Sequence, residues 1–499
     1  MTSDGALRAS VEFRAAKANT VLDETLRSMA GPGAVAHADQ RSAVVALVST
    51  RSRVLVVQKT GYGKSLIYWA ATKAFRELGG GPTLIISPLL SLMRDQVDAA
   101  AKAGIKAVTI NSANVGAWEE AMGGIESGEV DALLVSPERL ANPVFAARMG
   151  PLLRSCSLVV IDEAHCISDW GFDFRPDYQR LGHLISQVEG VAVLATTATA
   201  NKRVTADVAR QLGSDSLVLR GSLSRDSLHL SVVPGLSLEE RYDYCARVLG
   251  ATEGSGICYV PTVAETGRLA EYLKSQGFLV EAYSGQLDTG SRERLENDLR
   301  ENRLKAVVAT SALGMGYDKP DLGFCVHVGS PGSPVSYYQQ IGRAGRALAR
   351  AEVVLLPAPE SDEDLWEWFA SSSIPDRDNC DRVMAALESA SGPRNTARLS
   401  EDTKISRKRV ENLLKIMAVA GACVRMVDGW EATGLAFVYD EEKWGSVLAM
   451  RRGEADLMRS YATGAGCLME FLQRALDDED PGPCGRCSVC TGELPVPLR

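Results

Sequence analysis

The sequence lacks the features of a membrane or secreted protein. No stretch approaches the roughly 18 uninterrupted apolar residues that a membrane span needs. The beginning, "MTSDGALRASVEFRAAKANT", has neither an apolar core nor a small-residue cleavage site, so we expect no secretory signal. Basic residues are not in excess either, since the net charge is −9. That argues only weakly against a nucleic-acid partner, because binding needs a local basic surface rather than a basic total.

Cysteine is sparse and unevenly placed. Seven of the eleven cysteines stand alone, as expected for buried thiols in a reducing compartment, and four crowd the C-terminal end. The crowded cysteines have the spacing C-x16-C-x2-C-x2-C: Cys467, Cys484, Cys487 and Cys490. Four thiolates so spaced suit a closed, structural zinc site with no open catalytic position. A disulfide pair with two spare thiols is the alternative.

Apolar runs indicate two consecutive α/β domains. A chain of 499 residues is long enough for about three to four domains. Residues 1–30 form an Ala-rich helical lead-in that "GPGAVAHAD" ends. Runs such as "VLVVQ", "TLIISP" and "SLVVID" then alternate with helical stretches over 31–225, and "GICYV", "KAVVAT" and "EVVLLP" do so over 226–376. These patterns predict two parallel sheets flanked by helices.

After about residue 376 the pattern changes. It gives a short helix, a turn, a longer amphipathic helix and a hairpin with "DG" at its tip, which predicts a winged-helix-like domain over 377–440. Residues 394–425 hold eight Lys/Arg and three acids, a net charge of +5, which favours contact with nucleic acid. A generic three-helix regulatory insert is the alternative. Residues 441–499 then form a small zinc-binding module.

A glycine-rich loop predicts a phosphate site. In "VVQKTGYGKSLIYW", Gly61 and Gly63 allow the backbone to curl round an anion at a helix N-terminus. Lys64 would reach the β- and γ-phosphates, and the Ser65 hydroxyl would bind Mg²⁺. The strict phosphate-loop pattern is not met, because Gln58 stands where it has its first glycine.

Acids and arginines further along the chain complete this hypothesis. Asp162 follows an apolar strand, where a second Mg²⁺ contact belongs, and Glu163 could orient or deprotonate the attacking water. In "YYQQIGRAGRA", Arg343 and Arg346 are three residues apart, so we expect them on one helix face. If the second sheet closes on the first, they would meet the γ-phosphate as arginine fingers, which makes hydrolysis depend on closure.

These residues resemble a known family. Over roughly residues 37–350 the chain resembles the superfamily 2 helicases of the RecQ type, through "ADQRSAV", "TGYGKS", "ISPLLSLMRDQV", "VSPERL", "DEAH", "ATTATA", "AVVATSALGMGYDKPDL" and "YYQQIGRAGR". "DEAH" alone fits many helicases. "DEAHCISDWGFDFRP" together with "GMGYDKPD" is far more specific.

The resemblance implies an ATP-, Mg²⁺- and Zn²⁺-dependent DNA helicase with two RecA-like domains, moving 3′→5′, with roles in repair or recombination. It implies that Gln40 reads adenine and that Thr60 and Asp318 help to bind the nucleotide. It also implies a loop that senses single-stranded DNA, formed by His165, Trp170, Phe172, Phe174 and Arg175. Aromatic faces there would stack bases without sequence preference. The expected partners are single-stranded and tailed or forked duplex DNA. We expect no membrane partner, a monomer, and a cytoplasmic, nucleoid-associated location.

The chain departs from the family pattern in its C-terminal part. The winged-helix-like segment precedes the cysteines, whereas the family places it after the zinc module, so its use does not carry over. Tyr62 also stands where the family usually has Gly, and Lys59 where it usually has Pro. Two other functions remain open: an RNA helicase, and a winged-helix DNA-binding protein whose ATPase is a switch without unwinding.

Overall fold

The structure is a computed structural model, and it describes residues 3–88, 90–110, 118–140, 143–168, 178, 190–213, 215–313, 317–372 and 374–498. Among these residues, no helix combines the length and the apolarity that crossing a bilayer would require.

A seven-stranded parallel sheet forms the first domain. Its strand order is β3-β4-β2-β5-β6-β1-β7. Side chains of one strand alternate between two hydrophobic cores: Leu55 and Val57 face one core, and Val54 and Val56 face the other. The strands are β1 (Arg53–Val57), β2 (Thr83–Ile86), β3 (Ala107–Ile110), β4 (Ala132–Val135), β5 (Leu158–Ile161), β6 (Ala192–Thr197) and β7 (Leu217–Arg220).

Helices cover both faces of this sheet, as parallel connections require. The predicted N-terminal helix is confirmed as α1, and it packs on α2 and α3 rather than standing apart. The helices are α1 (Ser3–Ala30), α2 (Ala38–Thr50), α3 (Lys64–Glu77), α4 (Leu90–Lys102), α5 (Trp118–Glu126), α6 (Pro137–Leu140), α7 (Pro143–Ser155) and α8 (Lys202–Leu212).

A six-stranded parallel sheet, in the order β10-β11-β9-β12-β13-β8, forms the second domain. Its strands are β8 (Leu228–Val232), β9 (Ser255–Tyr259), β10 (Val280–Tyr283), β11 (Ala306–Ala309), β12 (Leu322–Val328) and β13 (Ala351–Leu356). Its helices are α9 (Leu238–Ala251), α10 (Val263–Ser275), α11 (Thr289–Arg300), α12 (Pro334–Ile341) and α13 (Pro359–Ser372). The predicted pair of parallel α/β sheets is confirmed.

A small helical unit with its own core follows. It contains α14 (Arg377–Glu388), α15 (Thr396–Thr403), α16 (Arg407–Val419), β14 (Cys423–Arg425) and β15 (Trp430–Ala432). The two strands are antiparallel, and Asp428 and Gly429 lie between them as the "DG" predicts. Gly429 is required there, because its φ is +155° and an added Cβ would lie 2.5 Å from the Arg394 backbone. These elements follow the predicted order of a short helix, a longer helix and a hairpin.

The unit is inserted into a helical hairpin. Helix α17 (Glu441–Ala462) returns along α13, and Arg452 and Arg459 of α17 pair with Glu367 and Glu363 of α13. The ends of the insert meet, since the Tyr439 hydroxyl donates to the Pro375 carbonyl at 2.8 Å. Two short helices complete the chain, α18 (Leu468–Ala475) and α19 (Ser488–Thr491).

The C-terminal helices share a core with the second domain. Met458, Tyr461, Leu472 and Cys487 belong to the same buried cluster as the strands β8, β9 and β13. The C-terminal cysteine module is therefore packed on the second sheet and does not form a separate body.

Candidate functional site

The phosphate loop lies between β1 and α3, at the carboxyl edge of the first sheet. Gly61 and Gly63 have φ values of +78° and +81°, which glycine adopts at little cost. A side chain at Gly63 would meet Gln40, since an added Cβ would lie 2.9 Å from its Nε2. The loop therefore has left-handed glycines at both positions where the predicted phosphate site needs them, although Gln58 replaces its first glycine.

Gln40 holds this loop from the side. Its Nε2 donates to the carbonyls of Tyr62 at 2.9 Å and Gly63 at 3.2 Å, and its Oε1 accepts from the His37 backbone at 2.9 Å. The rings of His37 and Tyr62 stack with centroids 4.6 Å apart. Tyr62 thus forms part of an aromatic surface next to Gln40, which its sequence position did not indicate.

Lys64 is the first residue of α3. Its Nζ donates to the carbonyls of Gln58 at 2.8 Å and Lys59 at 3.2 Å. Burial lowers the pKa of Lys64 to about 8, against the opposing effect of Glu163 and Asp162. An anion in the loop would favour the charged form of this lysine.

Asp162 and Glu163 follow β5, as predicted. Asp162 Oδ1 accepts from the Thr196 hydroxyl at 2.7 Å, and burial together with Glu163 raises the pKa of Asp162 to about 6. Burial opposes ionisation of Glu163, but His165, with Nδ1 at 3.3 Å, and Lys64 outweigh it and lower the pKa of Glu163. The Glu163 backbone is left-handed, with φ of 51°, a strained conformation found at functional sites.

The prediction that Arg343 and Arg346 share a helix face is wrong. Helix α12 ends at Ile341, and both arginines lie in the turns that follow, where Gly345 has φ of +64°. Arg343 is buried, and its Nη1 donates to the Tyr317 carbonyl at 3.0 Å. Its Nε is also buried and has no hydrogen-bond partner among the described residues, so it has spare capacity for an acceptor.

Arg346 nonetheless reaches the first domain. It pairs with Asp318 at 2.8 Å, and its Cγ lies 3.7 Å from the point that a Cβ on Gly61 would occupy. Asp318 is therefore linked to the loop indirectly, through its ion pair with Arg346. The structure thus gathers the predicted nucleotide residues of both domains at one cleft.

Two contacts that no motif predicted join the domains at this cleft. The Thr60 hydroxyl donates to the Gly342 carbonyl at 2.9 Å, and Gln339 Nε2 donates to the Thr199 hydroxyl at 2.5 Å. Thr60 and Thr199 belong to the first domain, whereas Gly342 and Gln339 belong to the second. The turn after α12 therefore touches the phosphate loop directly.

The four C-terminal cysteines come together, with all Sγ atoms within 4.8 Å of one another. None of them forms a disulfide. Backbone N–H groups of Cys484, Leu468 and Cys487 donate to the sulfurs of Cys467, Cys487 and Cys484. Burial opposes the thiolate of Cys487, yet the backbone N–H groups of Leu468 and Cys490, together with the neighbouring thiols, lower its pKa to about 7. Burial raises the pKa of Cys484 and of Cys490, so a bound cation would be needed to hold these two as thiolates.

Most of the predicted DNA-sensing loop lies outside the described residues: Trp170, Phe172, Phe174 and Arg175. His165 is described. It is buried in a 3₁₀ turn over Ala164–Ile167, and its Nδ1 lies 3.0 Å from the Thr197 hydroxyl. His165 thus joins the end of β6 to the Glu163 carboxylate.

Two family models match this chain. Residues 37–208 match the DEAD/DEAH box helicase model, and residues 240–348 match the helicase conserved C-terminal domain model. The chain is 40% identical over 338 residues to "ATP-dependent DNA helicase RecQ" of Pasteurella multocida, covering 67% of this chain and 51% of that protein. It is 33% identical over 355 residues to "Probable ATP-dependent DNA helicase RecS" of Bacillus subtilis, covering 70% and 69%.

Solved structures show the same fold. The DNA-bound helicase MrfA has a TM-score of 0.57 at 16% identity, over 85% of this chain and 63% of that one. Dbp5 of S. cerevisiae, bound to RNA and ADP BeF3, has a TM-score of 0.56 at 19% identity, over 69% and 91%. The chain spans about half the length of the RecQ relatives of Pasteurella multocida, Haemophilus influenzae and Bacillus subtilis, at 51%, 48% and 54%.

The close approach at Gly342 yields a first prediction. An added Cβ would lie 2.4 Å from Thr60 Oγ1, so Gly342→Ala should push the two domains apart locally. Overpacking of this kind lowers the free energy of unfolding by about 1–3 kcal/mol, which chemical denaturation would measure.

Gly267→Ala is the matched control. Gly267 lies within α10 with no atom within 4 Å of an added Cβ, so the change should be neutral or slightly stabilising. Equal stability of the two variants would contradict the close contact.

Proposed function

Because the chain belongs to the RecQ-like helicases of superfamily 2, we propose that it is an ATP-dependent DNA helicase that moves 3′→5′ on single strands. The observation that carries this is the shared cleft, in which the loop of the first domain meets Arg346 of the second. Such a cleft ties the chemistry of ATP to the relative position of two domains. The names of the relatives supply the DNA substrate, and the family resemblance supplies the polarity.

The residues of the cleft fit a nucleoside triphosphate. Helix α3 begins at Lys64, directly after the loop, and backbone N–H groups at a helix N-terminus attract an anion. Lys64 would exchange the carbonyls of Gln58 and Lys59 for phosphate oxygens. The Gln40 amide would read the base beside the stack of His37 and Tyr62.

The donor set also fits Mg²⁺. Ser65 in the first turn of α3 and the Asp162 carboxylate offer the oxygen ligands that Mg²⁺ prefers. When bound, Mg²⁺ neutralises charge on the β- and γ-phosphates.

Hydrolysis then needs groups from both domains. Glu163, kept ionised by His165 and Lys64, orients and deprotonates the attacking water. Arg343, whose Nε has no hydrogen-bond partner in the described part of the chain, and Arg346 stabilise the charge that develops on the transferred phosphoryl group. Since both arginines come from the second domain, hydrolysis proceeds only when the cleft is closed, and closure and opening would move the chain along DNA.

The cysteine cluster is proposed to hold structural zinc. Thiolates bound 2.3 Å from a tetrahedral zinc ion lie about 3.8 Å apart, and the four sulfurs lie within 4.8 Å of one another. The N–H donors to three of these sulfurs are the outer contacts that tune such sites. With four cysteines as ligands, no position is left for catalysis.

The insert is proposed to bind the DNA backbone. Arg407, Lys408 and Arg409 open α16, and all three are exposed. No salt bridge to these three cations is present among the described residues, whereas Arg398 and Lys415 pair with acids. Free cations at the start of the second helix of a helix-turn-helix suit phosphate contacts.

The division of the chain near residues 225, 376 and 440 is part of the same proposal. Separate cores support it for the two sheets and for the insert. Helix α13 lies before residue 376 but pairs with α17, so the helical hairpin belongs jointly to the second domain and the cysteine module.

The experiment that tests the proposal is ATP-dependent unwinding of matched duplexes with a 3′ or a 5′ single-stranded tail, in DNA and in RNA. We expect only the 3′-tailed DNA duplex to open. Equal unwinding of RNA would favour an RNA helicase. DNA-stimulated hydrolysis without opening of any duplex would favour an ATPase switch on a winged-helix binder.

Lys64→Ala should remove ATP hydrolysis. Loss of a preorganised cation at the transferred phosphate lowers kcat by about 10²–10³-fold or more, which a phosphate-release assay would measure. Lys73→Ala is the control, because Lys73 lies on the same helix but faces Glu24 at 4.0 Å. Unchanged hydrolysis in the Lys64 variant would refute its assignment.

Zinc should be present at one ion per chain, and Cys487→Ser should remove it, because each ligand of a tetrahedral site is needed. Atomic absorption of purified protein gives the ratio. Cys156→Ala, which changes a buried thiol of the first domain, should keep the metal. A metal-free chain with disulfide-linked cysteines would contradict the proposal.

A triple alanine variant of Arg407, Lys408 and Arg409 should weaken binding to duplex DNA whatever its sequence. Each lost phosphate contact lowers the slope of log K against log salt by about 0.9, so the slope should fall by about 2–3 in a fluorescence titration. Alanine at Lys106, Arg210 and Lys274, exposed cations elsewhere, is the matched control. The same slope in both variants would exclude the insert as a DNA-binding surface.

A further inference from the structure

The segment that joins the two sheets is held on both sides. Residues 221–227 join the end of β7 to the start of β8. Residues 221–225 have no regular structure, and residues 226 and 227 form a turn. Within this segment Arg225 is buried, with 6% of its surface exposed. A buried arginine in a linker is unusual, because arginine is almost never fully buried without a partner.

Arg225 bridges the phosphate loop and the turn after α12. Its Nη1 donates to the Thr60 hydroxyl at 2.9 Å and to the Gly342 carbonyl at 3.0 Å, and its Nη2 donates to the Ala344 carbonyl at 2.9 Å. Thr60 lies in the first domain, and Gly342 and Ala344 lie in the second. One guanidinium thus fixes the spacing between the two halves of the nucleotide cleft.

The acceptors of Arg225 are hydroxyl and carbonyl oxygens, and no carboxylate pairs with it among the described residues. A buried cation without an anion is costly. Its charge also acts on Lys64, since Arg225 contributes to lowering the pKa of that lysine. The guanidinium therefore lies within electrostatic reach of the phosphate-binding lysine.

The cysteine module holds the linker from the other side. Arg486, between two of the clustered cysteines, donates to the Arg225 carbonyl at 3.0 Å and pairs with Asp226 at 3.0 Å. Its Nη1 also donates to the Cys484 carbonyl at 3.0 Å. A single side chain therefore connects the backbone of the cysteine cluster to the backbone of Arg225.

A second anchor lies nearby. Asp478, just after α18, accepts from the Leu223 backbone at 2.8 Å and from Gln473 Nε2 at 2.9 Å. Asp478 therefore holds the linker at Leu223, two residues before Arg225. Both anchors come from the segment that carries the four cysteines.

We propose that Arg225 is a positioning residue for ATP hydrolysis, and that the cysteine module sets its place through Arg486. Arg225 holds Thr60 against Gly342, so that Arg343 and Arg346 face the loop. An ordered cysteine cluster thereby fixes the position of the residues in the nucleotide cleft. The kinetic part rests on the proposed function, whereas the structural part does not.

Hydrogen exchange in the nucleotide-free protein tests the structural part. Arg225→Ala should raise amide exchange at least tenfold in peptides spanning 58–66 and 340–346 and leave β9 unchanged. Arg225→Lys, with one ammonium in place of a fork, should give a smaller rise at the same peptides. Arg486→Ala and metal removal by a chelator should raise exchange at 221–227 and, more weakly, at 58–66.

Arg350→Ala is the matched control, since Arg350 is exposed and pairs with Glu352 at 2.5 Å. It should change none of these peptides. Unchanged exchange at 58–66 and 340–346 in Arg225→Ala would overturn the proposal. If Arg225→Ala raises exchange throughout the chain, the Arg225→Lys variant decides. A rise in exchange confined to the two peptides supports the proposal, and the absence of any rise at these peptides overturns it.

Kinetics separate positioning from binding. Arg225→Ala should lower kcat at least tenfold with KM within threefold, and Arg225→Ala/Arg486→Ala should be no slower than Arg225→Ala alone. A raised KM with kcat unchanged would make Arg225 a binding residue and overturn the proposal. If the unaltered protein hydrolyses no ATP, the proposed helicase function fails, and the exchange data still decide the structural part.

Discussion

The division of the proposed nucleotide site between two sheets is the constraint on which the rest of the structure depends. One sheet provides the loop, Lys64, Asp162 and Glu163, and the other provides Arg343 and Arg346. Neither set is complete, so the turn after α12 must approach the loop within van der Waals contact. Gly342 makes this approach possible, because a Cβ there would overlap the Thr60 hydroxyl.

Electrostatics follow from that separation. The whole chain carries −9, yet Lys64, Arg225, Arg343 and Arg346 converge on one cleft, and the carboxylates at its centre belong to Asp162 and Glu163. Burial raises the pKa of Asp162 and lowers that of Lys64, so a counter-charge beside either group would favour its charged form. The site is thus suited to binding a polyanion together with Mg²⁺.

Much of this could be predicted from sequence. The central strands were recognised because they are buried on both faces and read as continuous apolar runs. The apolar runs of the sequence do not identify the edge strands β3, β7 and β8, because Thr109 and His229 interrupt β3 and β8, and β7 is short and partly exposed. The loop and acid motifs were located correctly because their chemistry is local in sequence.

Residues defined by tertiary contacts escaped prediction. Arg225 belongs to no motif, and its role arises from oxygens that lie 165 and 117 residues away along the chain. The helical placement of Arg343 and Arg346 failed because the helix stops at Ile341, before Gly342 and Gly345, which break the 3.6-residue period. A change in the sequence pattern indicates the insert between α13 and α17. The sequence does not show that these two helices pack together as a hairpin, because their ion pairs are defined only by the tertiary structure.

The most direct test of the account is the distance between the two domains as nucleotide binds. Dyes attached at Glu129 in the first domain and Glu301 in the second, both exposed, would report it by energy transfer. We predict that a nonhydrolysable ATP analogue with Mg²⁺ changes the transfer efficiency in the unaltered protein and that this response is reduced when Arg346 is changed to Ala. The same efficiency with and without nucleotide would contradict a site assembled from two moving domains.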